Sequence, residues 1–271
     1  MNEFRLLVQK PAAGDWNMAA DEAILESIGL KESPPTIRLY AWEPPCLSLG
    51  YAQSIGDVDK SALADCGWGL VRRMTGGRAI LHADELTYSV IAPYEEPLVS
   101  GTLLEGYNRI AGGLLKTMKL LGVTGEINEK NINPAANQPG PVCFEVPSAF
   151  EITVGGKKVI GSAQARRKQG VLQHGSLPLY GDLGRIINVL HFSNDETRSE
   201  SLRKLLEHAA NLEMITGSRL DWQTAANAFI DGFQSALDLM LIYGDLSSRE
   251  EERILVLMHE KYSHLDWTER V

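Results

Sequence analysis

The fold is decided by residues 143–175, which read CFEVPSAFEITVGGKKVIGSAQARRKQGVLQHG. Residues 150–154 alternate apolar and polar side chains, as a half-buried β-strand does, and a Gly-Gly pair follows them as a tight turn. Residues 157–160 then return as the second arm of an antiparallel hairpin. A further strand is expected over residues 171–179. The stretch therefore predicts a hairpin that leads into a sheet.

Candidate chemistry lies in the same stretch, in the form of one thiol and two lysines. The thiol of Cys143 becomes a good nucleophile only if a neighbour stabilises its thiolate, and an ammonium group can do this. Lys157 and Lys158 are consecutive in a strand, so they point to opposite faces and only one should face a pocket. The pattern leaves open which one, and an ordinary solvated hairpin lysine is the alternative for either.

A second candidate segment is VRRMTGGRAILH, residues 71–82. Its paired glycines, Gly76 and Gly77, let backbone amides approach a ligand closely, and an adjacent arginine can fork onto a phosphate or carboxylate. Thr-Gly-Gly is equally an ordinary hairpin turn. His82 alone is more typical of a structural histidine. Small side chains and free backbone amides are also expected in a turn at residues 161–163, Gly-Ser-Ala, where they leave room for a ligand.

Composition bounds the class of protein. The chain has 271 residues, 44% of them apolar and 23% charged, which suits one large domain or one domain with a small appendage. The three cysteines lie far apart without a C-x-x-C pair, so we expect neither a zinc site nor a disulfide framework, and we read Cys46 and Cys66 as small core residues. These features, with no signal peptide or membrane span in the sequence, predict a soluble cytoplasmic protein in a reducing compartment.

Net charge argues against nucleic acid as a partner. The formal charge is -9, whereas binding to a nucleic-acid backbone needs a basic face. Two local basic clusters stand out, Arg72-Arg73 and residues 166–168, Arg-Arg-Lys. Contacts to smaller anions therefore remain possible at these two places.

Most of the remaining chain reads as supporting structure. We expect a helix capped by Asn17, a helix from a Thr102 and Glu105 capping box to Leu121, and a last helix capped by Ser248. The apolar face of the helix that ends at Leu121 is expected to include Leu103. Residues 126–141 are polar and rich in Asn and Pro, so we read them as a mobile loop that leads to the thiol. Leu239 and Leu241 indicate a short strand.

Several motifs, in order, resemble the lipoate-protein ligase and octanoyltransferase family. They are NMAADEAIL from residue 17, RLYAWEPPCLSLGY from 38, RRMTGGRAILH from 72, ELTYS from 85, KKVIGSAQARR from 157 and LQHGSLPL from 172. The resemblance runs from about residue 16 to the end of the chain. It implies an α+β fold like the catalytic domain of biotin and lipoate protein ligases, with a mixed, largely antiparallel sheet flanked by helices. It also implies a catalytic domain over residues 1–244 and a packed helical extension over 245–271.

Within that family, CFEVPSAFE ahead of the lysine resembles the Bacillus-type octanoyltransferases. The resemblance implies that Cys143 attacks the thioester of octanoyl-acyl carrier protein, and that a lysine of the glycine-cleavage H protein, or of another lipoyl domain, then takes the octanoyl group, in lipoate biosynthesis. Lys158 matches the family lysine and would depress the pKa of the thiol. The match therefore selects Lys158 over Lys157.

The resemblance also assigns a set of residues to the walls of an acyl tunnel and its carbonyl end, where backbone donors help to stabilise an oxyanion. These residues are Arg73, Gly76, Gly77, His82, Gly161, Ser162, Ala163 and His174. No metal, nucleotide or other cofactor is expected, because the thioester on the phosphopantetheine of the carrier already carries the activation. No membrane or nucleic acid is expected as a partner.

Two other functions compete with this reading. The first is the catalytic chain of a two-chain, ATP-dependent lipoate-protein ligase, which would need no cysteine nucleophile. The second is a non-catalytic binder of lipoylated domains, and the presence of both Cys143 and Lys158 counts against it. Since both the chain and an acyl carrier protein are acidic, we also expect docking through a local basic patch that includes Arg166, Arg167 and Lys168.

Overall fold

A computed structural model describes residues 2–128 and 151–271. Cys143, Phe150 and most of the loop predicted over residues 126–141 lie outside the described residues. The beginning of that segment is a strand, Glu126–Asn128, where the sequence analysis expected loop. It pairs antiparallel with the next described strand of the chain, so the prediction was wrong for these three residues.

The described residues form eleven strands and eight α-helices. The strands are β1 Asn2–Val8, β2 Thr36–Tyr40, β3 Cys46–Leu49, β4 Gly69–Arg72, β5 Ile80–His82, β6 Glu85–Ala92, β7 Glu126–Asn128, β8 Glu151–Val154, β9 Lys157–Arg167, β10 Gly170–Pro178 and β11 Leu239–Tyr243. The helices are α1 Gly14–Gly29, α2 Lys60–Asp65, α3 Leu103–Leu120, α4 Asp195–His208, α5 Leu212–Thr216, α6 Trp222–Leu237, α7 Ser248–Leu257 and α8 Leu265–Thr268. The described residues also include the 3-10 helices Ile55–Asp57 and Leu183–Val189 and the π-helix Met258–Tyr262.

The main sheet has eight strands in the order β11-β1-β2-β6-β10-β9-β8-β7. The strand β1 pairs in parallel with both of its neighbours, and every other pair in this sheet is antiparallel. Strands β4, β3 and β5 form a separate small sheet. The prediction of a mixed, largely antiparallel sheet with flanking helices is therefore confirmed.

Alternation along the strands divides the core between the two faces of the sheet. On one face, Leu39 and Val90 pack with the helices α3 and α6, which supply Ile110 and Phe229. On the other face, Leu7, Ile91 and Leu172 pack with α1. This second face also carries buried polar residues, which form much of the site described below.

The predicted hairpin around Gly155 and Gly156 is present as the strands β8 and β9. Gly155 and Gly156 have φ angles of +55° and +79°, a left-handed conformation that glycine adopts without strain. The capping box of α3 is also confirmed, because Thr102 and Glu105 each accept a hydrogen bond from the backbone N–H of the other. Leu103 is 43% exposed, so it does not belong to the buried face of α3 as predicted.

Two predicted helix caps were wrong. The helix α1 begins at Gly14, and Asn17 lies inside it with its side-chain amide donating to the carbonyls of Ala12 and Ala41. The Asn17 side chain therefore makes tertiary hydrogen bonds, although the local sequence pattern predicted that it would cap the helix. The cap of α7 is Ser247, which forms a capping box with Glu250 and lies one residue before the predicted cap, Ser248.

The C-terminal helices pack on α1 through ion pairs. Arg253 pairs with Glu26 at 2.5 Å, and Lys261 pairs with Glu22 at 2.6 Å. Within residues 2–128 and 151–271, none of the helices combines the length and apolarity needed to cross a membrane.

Candidate active site

Lys158 is the buried lysine of the β8–β9 hairpin. Only 3% of its surface is exposed, and its Nζ donates to Glu151 Oε1 at 2.5 Å. Its main-chain carbonyl accepts from the N–H of Ala210, which fixes the strand at this position. Lys157 is partly exposed and donates to the carbonyl of Leu206 at the surface. The hairpin therefore separates its two lysines, and Lys158 is the one that lies in the interior.

Glu151 is a residue that the sequence analysis missed. It is the first residue of β8 and is itself buried, with its carboxylate against the ammonium of Lys158. Burying either charge alone is costly, so each makes the burial of the other tolerable. A signal was available, because a carboxylate at the start of an apolar strand, one hairpin away from a lysine, is a natural partner for that lysine.

Arg73 holds the Thr-Gly-Gly turn. Its guanidinium donates to Ser48 and, across the turn, to the carbonyls of Gly76 and Arg78 at 3.0 and 2.7 Å. Gly77 has a φ of +94°, and a Cβ built there would lie 2.9 Å from Arg73 Nη2. The arginine and the glycine therefore specify the shape of the turn together.

His82 is linked to the same arginine through a shared serine. Its Nε2 lies 2.7 Å from Ser48 Oγ, and its Nδ1 lies 2.8 Å from a carboxylate oxygen of Glu85. The ring stacks on Trp42, with 3.9 Å between the ring centroids. Both nitrogens of this buried histidine thus have partners in the protein.

His174 connects β10 to the Thr-Gly-Gly turn. Its Nε2 lies 2.7 Å from Thr75 Oγ1, and its Nδ1 lies 3.3 Å from Asp21 Oδ2. Burial lowers the pKa of His174, against the opposing effect of the Asp21 carboxylate. The imidazole is therefore held neutral near pH 7 and bridges the helix α1 to the turn.

Asp21 and Arg38 form the charged centre behind this histidine, and sequence reasoning missed both roles. Arg38 Nη1 donates to Asp21 Oδ1 at 2.8 Å, and both residues are almost completely buried. Burial acts to raise the pKa of Asp21, but Arg38 and His174 together outweigh it and lower that pKa. The available signal was the alternation of β2, TIRLY, which puts an arginine on the same face as Thr36 and Tyr40.

The Gly161-Ser162-Ala163 segment was predicted to be a turn, and this prediction was wrong. The segment is the middle of strand β9. It pairs with β10, where Ala163 lies opposite His174 and Gly161 lies opposite Ser176. The hydroxyl of Ser162 lies 2.7 Å from that of Tyr88. The small side chains therefore sit on a continuous strand beside the predicted histidine.

An open cleft of about 940 Å³ lies between the Thr-Gly-Gly turn and the far end of β9. Gly76 and Gly77 line it, together with the end of β9 and the loop that contains Tyr51. Of the other predicted residues, Arg73, His82 and His174 are buried, and Lys158 lies at the opposite end of β9. The structure thus brings the turn, His174 and Ala163 together and sets Lys158 apart along the strand.

The two cysteines in the described residues differ. Cys46 is buried, and burial raises the pKa of its thiol, with a smaller contribution from Asp15, so it is a core residue as predicted. Cys66 caps the end of α2 and is exposed, so the reading of it as a core residue was wrong. Over the described ranges, no three His, Cys, Asp or Glu side chains are grouped so as to hold a metal ion.

Comparison with known proteins places the chain in a family. The model of the lipoyl protein ligase A/B catalytic domain matches residues 14–234. The chain is 39% identical to the octanoyltransferase LipM of Kyrpidia tusciae over 100% of both chains, and 40% identical to that of Symbiobacterium thermophilum over 98% of both. It is 36% identical to that of Bacillus anthracis, over 93% of this chain and 92% of the relative. The chain belongs to the lipoyl protein ligase A/B catalytic domain family.

Solved structures show the same fold. A bi-partite lipoate protein ligase from Thermoplasma acidophilum superposes with a TM-score of 0.81 and 23% identity, over 99% of this chain and 97% of that one. A lipoate-protein ligase A bound with ATP superposes with a TM-score of 0.79 and 25% identity, over 98% of both chains. The expected ligase-like fold is confirmed.

Proposed function

We propose that this protein is an octanoyltransferase of lipoate biosynthesis, which moves an octanoyl group from octanoyl-acyl carrier protein to a lysine of the glycine-cleavage H protein or another lipoyl domain. The observation that carries the proposal is the 35–40% identity, along nearly the whole chain, to proteins named octanoyltransferase LipM. Identity to the solved lipoate ligases is lower, at 23–25% for the two described above. The transferase is therefore favoured over the ligase.

The proposed reaction has two steps, each of which exchanges one acyl bond. The thiolate of Cys143 attacks the carbonyl of the donor thioester, the carrier thiolate leaves and takes a proton, and an octanoyl-enzyme thioester remains. The amine of the acceptor lysine then attacks this thioester, loses a proton and forms an amide, while the Cys143 thiolate leaves. Because the donor is already activated, neither step requires a nucleotide or a metal.

The role proposed for Lys158 is to stabilise negative charge next to the reacting carbonyl. A buried ammonium lowers the free energy of a nearby thiolate and of the tetrahedral oxyanion much more than an exposed one would. The ion pair with Glu151 supports this role, because the carboxylate holds the Nζ of Lys158 in place and restricts its side chain. The carboxylate also offsets part of the positive charge, which prevents the thiolate from becoming too stable to react.

The Thr-Gly-Gly turn and the middle of β9 are proposed as walls for the octanoyl chain. His174 bonds to Thr75 and lies opposite Ala163, so it fixes the turn against the strand. Arg73 fixes the turn from its other side. We assign both residues, with His82 behind them, to positioning of this wall.

The test is a transfer assay with two substrate sets and purified apo H protein. With octanoyl-acyl carrier protein and no nucleotide, we expect octanoylated H protein. With free lipoate and ATP but no carrier protein, we expect no modification. Transfer only in the second mixture would replace the proposal with the ATP-dependent ligase, which is the second candidate because the solved structures cited above are ligases.

A further inference from the structure

The cleft at the far end of β9 is basic, although the chain as a whole carries a formal charge of -9. Arg78, Arg166 and Arg167 line it, and Arg270 packs on the ring of Tyr51, which also lines it. Among the described residues that line the cleft, Asp57 is the acidic one, and it accepts a hydrogen bond from the side-chain amide of Gln53. The wall of the cleft is therefore positive on balance.

The arginines at the end of β9 donate hydrogen bonds to backbone carbonyls, which do not neutralise the positive charge of the guanidinium groups. Arg167 Nη2 donates to the carbonyl of Met74 at 3.1 Å. Arg166 donates to the carbonyls of Val99, Gly101 and Thr102. A carbonyl dipole orients a guanidinium but carries no net charge, so these bonds leave the positive charge available to an anion.

Tyr51 lies close to two of the cations. The guanidinium carbon of Arg270 lies 4.0 Å from the centroid of its ring, and that of Arg167 lies 5.3 Å from it. A hydrogen bond and the positive charge of Arg270, with a smaller effect of Arg167, lower the pKa of the Tyr51 hydroxyl. The local potential at the ring is therefore positive.

The C-terminal segment holds Arg270 in this place. The carbonyl of Thr268 accepts two hydrogen bonds from the buried guanidinium of Arg72, at 2.8 and 3.0 Å. The carbonyl of Val271 accepts from the N–H of Ile55 at 2.8 Å. Arg270 is thus anchored on both sides, although its own side chain is exposed. Such preorganisation reduces the entropic cost of binding a ligand.

We propose that this cleft, through Arg167 and Arg270, binds the phosphate group of the phosphopantetheine arm that carries the octanoyl thioester. The inference rests on the proposed function, since it assigns a place to the donor of that reaction. Guanidinium groups suit phosphate because their planar donors match its oxygens in pairs. The ring of Tyr51 provides a less polar surface along which the arm can lie.

The position of the cleft fits a ligand whose anionic group is remote from its reacting carbonyl. Lys158 is near the beginning of β9, whereas Arg167 is the last residue of that strand. A phosphopantetheine thioester has its phosphate at one end of a long chain and its thioester at the other. A polyanion such as a nucleic acid fits less well, because the surrounding surface of an acidic protein repels it.

The experiment compares three octanoyl donors: octanoyl-pantetheine, which lacks phosphate, octanoyl-phosphopantetheine and octanoyl-acyl carrier protein. The rate of acyl-enzyme formation is followed by intact-mass measurement. We expect the wild-type protein to use the phosphorylated small donor about 10- to 100-fold more efficiently than the unphosphorylated one, as kcat/KM, from charge-assisted hydrogen bonds. The double variant Arg167→Gln with Arg270→Gln should lose this preference and keep its rate with octanoyl-pantetheine.

The matched control is Arg203→Gln, which removes an exposed arginine that pairs with Glu200 and Glu207 on α4. Its donor preference should equal that of the wild-type protein. Equal use of the two small donors by the wild-type protein would overturn the inference, as would a double variant that slows both equally. A loss confined to the carrier-bound donor would mean that the cleft binds the carrier protein surface instead. If the wild-type protein forms no acyl-enzyme from any donor, the proposed function itself fails.

Discussion

Positive charge has different partners at the two ends of strand β9, a carboxylate at the beginning and uncharged carbonyls at the end. At its beginning, Lys158 is buried and paired with the carboxylate of Glu151. At its end, Arg166 and Arg167 are bonded to backbone carbonyls and open to a cleft. A buried charge needs a counter-charge to be stable, whereas a cation held by dipoles at the surface keeps its charge for a ligand. We therefore propose that one end serves the reaction and the other recognition of the donor.

The largest expected effect follows from removing the buried cation. Lys158→Met should slow octanoyl transfer about 10²- to 10³-fold, because the thiolate and the oxyanion lose their stabilising charge. The matched control is Lys157→Met, which changes the neighbouring lysine at the surface and should leave kcat/KM within about 2-fold of the wild-type value. Single-turnover transfer to apo H protein measures both variants. Equal losses in the two variants would contradict the difference between the buried and the exposed lysine.

The ion pair of Lys158 and Glu151 allows the effect of a substitution on activity to be separated from its effect on stability. Lys158→Met alone should lower the free energy of unfolding by about 3 kcal/mol, because Glu151 is then left buried without its cation. The double variant Lys158→Met with Glu151→Leu should recover most of that stability while transfer stays as slow as in the single variant. Urea denaturation measures the first quantity and the transfer assay the second. A double variant as unstable as the single one would show that the ion pair does not determine the stability of this end of β9.

At the other end of the strand we expect smaller effects on stability. Arg166→Met removes hydrogen bonds to the carbonyls before α3 and should lower the free energy of unfolding by about 1–2 kcal/mol. Arg167→Gln, which keeps a donor for the carbonyl of Met74, should change it by less than about 0.5 kcal/mol. Equal destabilisation by both substitutions would remove the distinction between an arginine that holds structure and one that faces a ligand.

The smallest effect concerns pH and the histidine that lies opposite the middle of β9. Since burial lowers the pKa of His174 in the folded protein, the unfolded chain binds the proton more readily. The contribution of His174 to stability is complete above its unfolded pKa, near 6.5, and is lost as the pH falls below that value. Urea denaturation between pH 5 and 7 should therefore show a shallower pH dependence for His174→Gln than for wild type. An unchanged dependence would contradict the neutral, bridging histidine.

Much of this architecture follows from the sequence, because local patterns determine it. The hairpin, its Gly155-Gly156 turn and the capping box of Thr102 depend on residues close together in the chain. The choice of Lys158 over Lys157 needed the family motif, and it stays a prediction; in the structure Lys158 is buried and Lys157 is partly exposed.

The features that were missed depend on partners that are distant in the chain. Asn17 has the preferences of a cap, but Arg38 and the carbonyls of Ala12 and Ala41 use it instead. Arg270 lies 219 residues from Tyr51, yet they are in contact. No periodicity or propensity can specify such pairs, because tertiary packing creates them.

The most direct test of the account is the site of the covalent intermediate. Intact-mass measurement after incubation with octanoyl-acyl carrier protein should show one added octanoyl group, which hydroxylamine removes as expected for a thioester. Peptide mapping should locate it on Cys143, and Cys143→Ser should abolish the thioester. An adduct on Cys66, which is exposed, or no adduct in the wild-type protein, would contradict the assignment of the nucleophile on which the account depends.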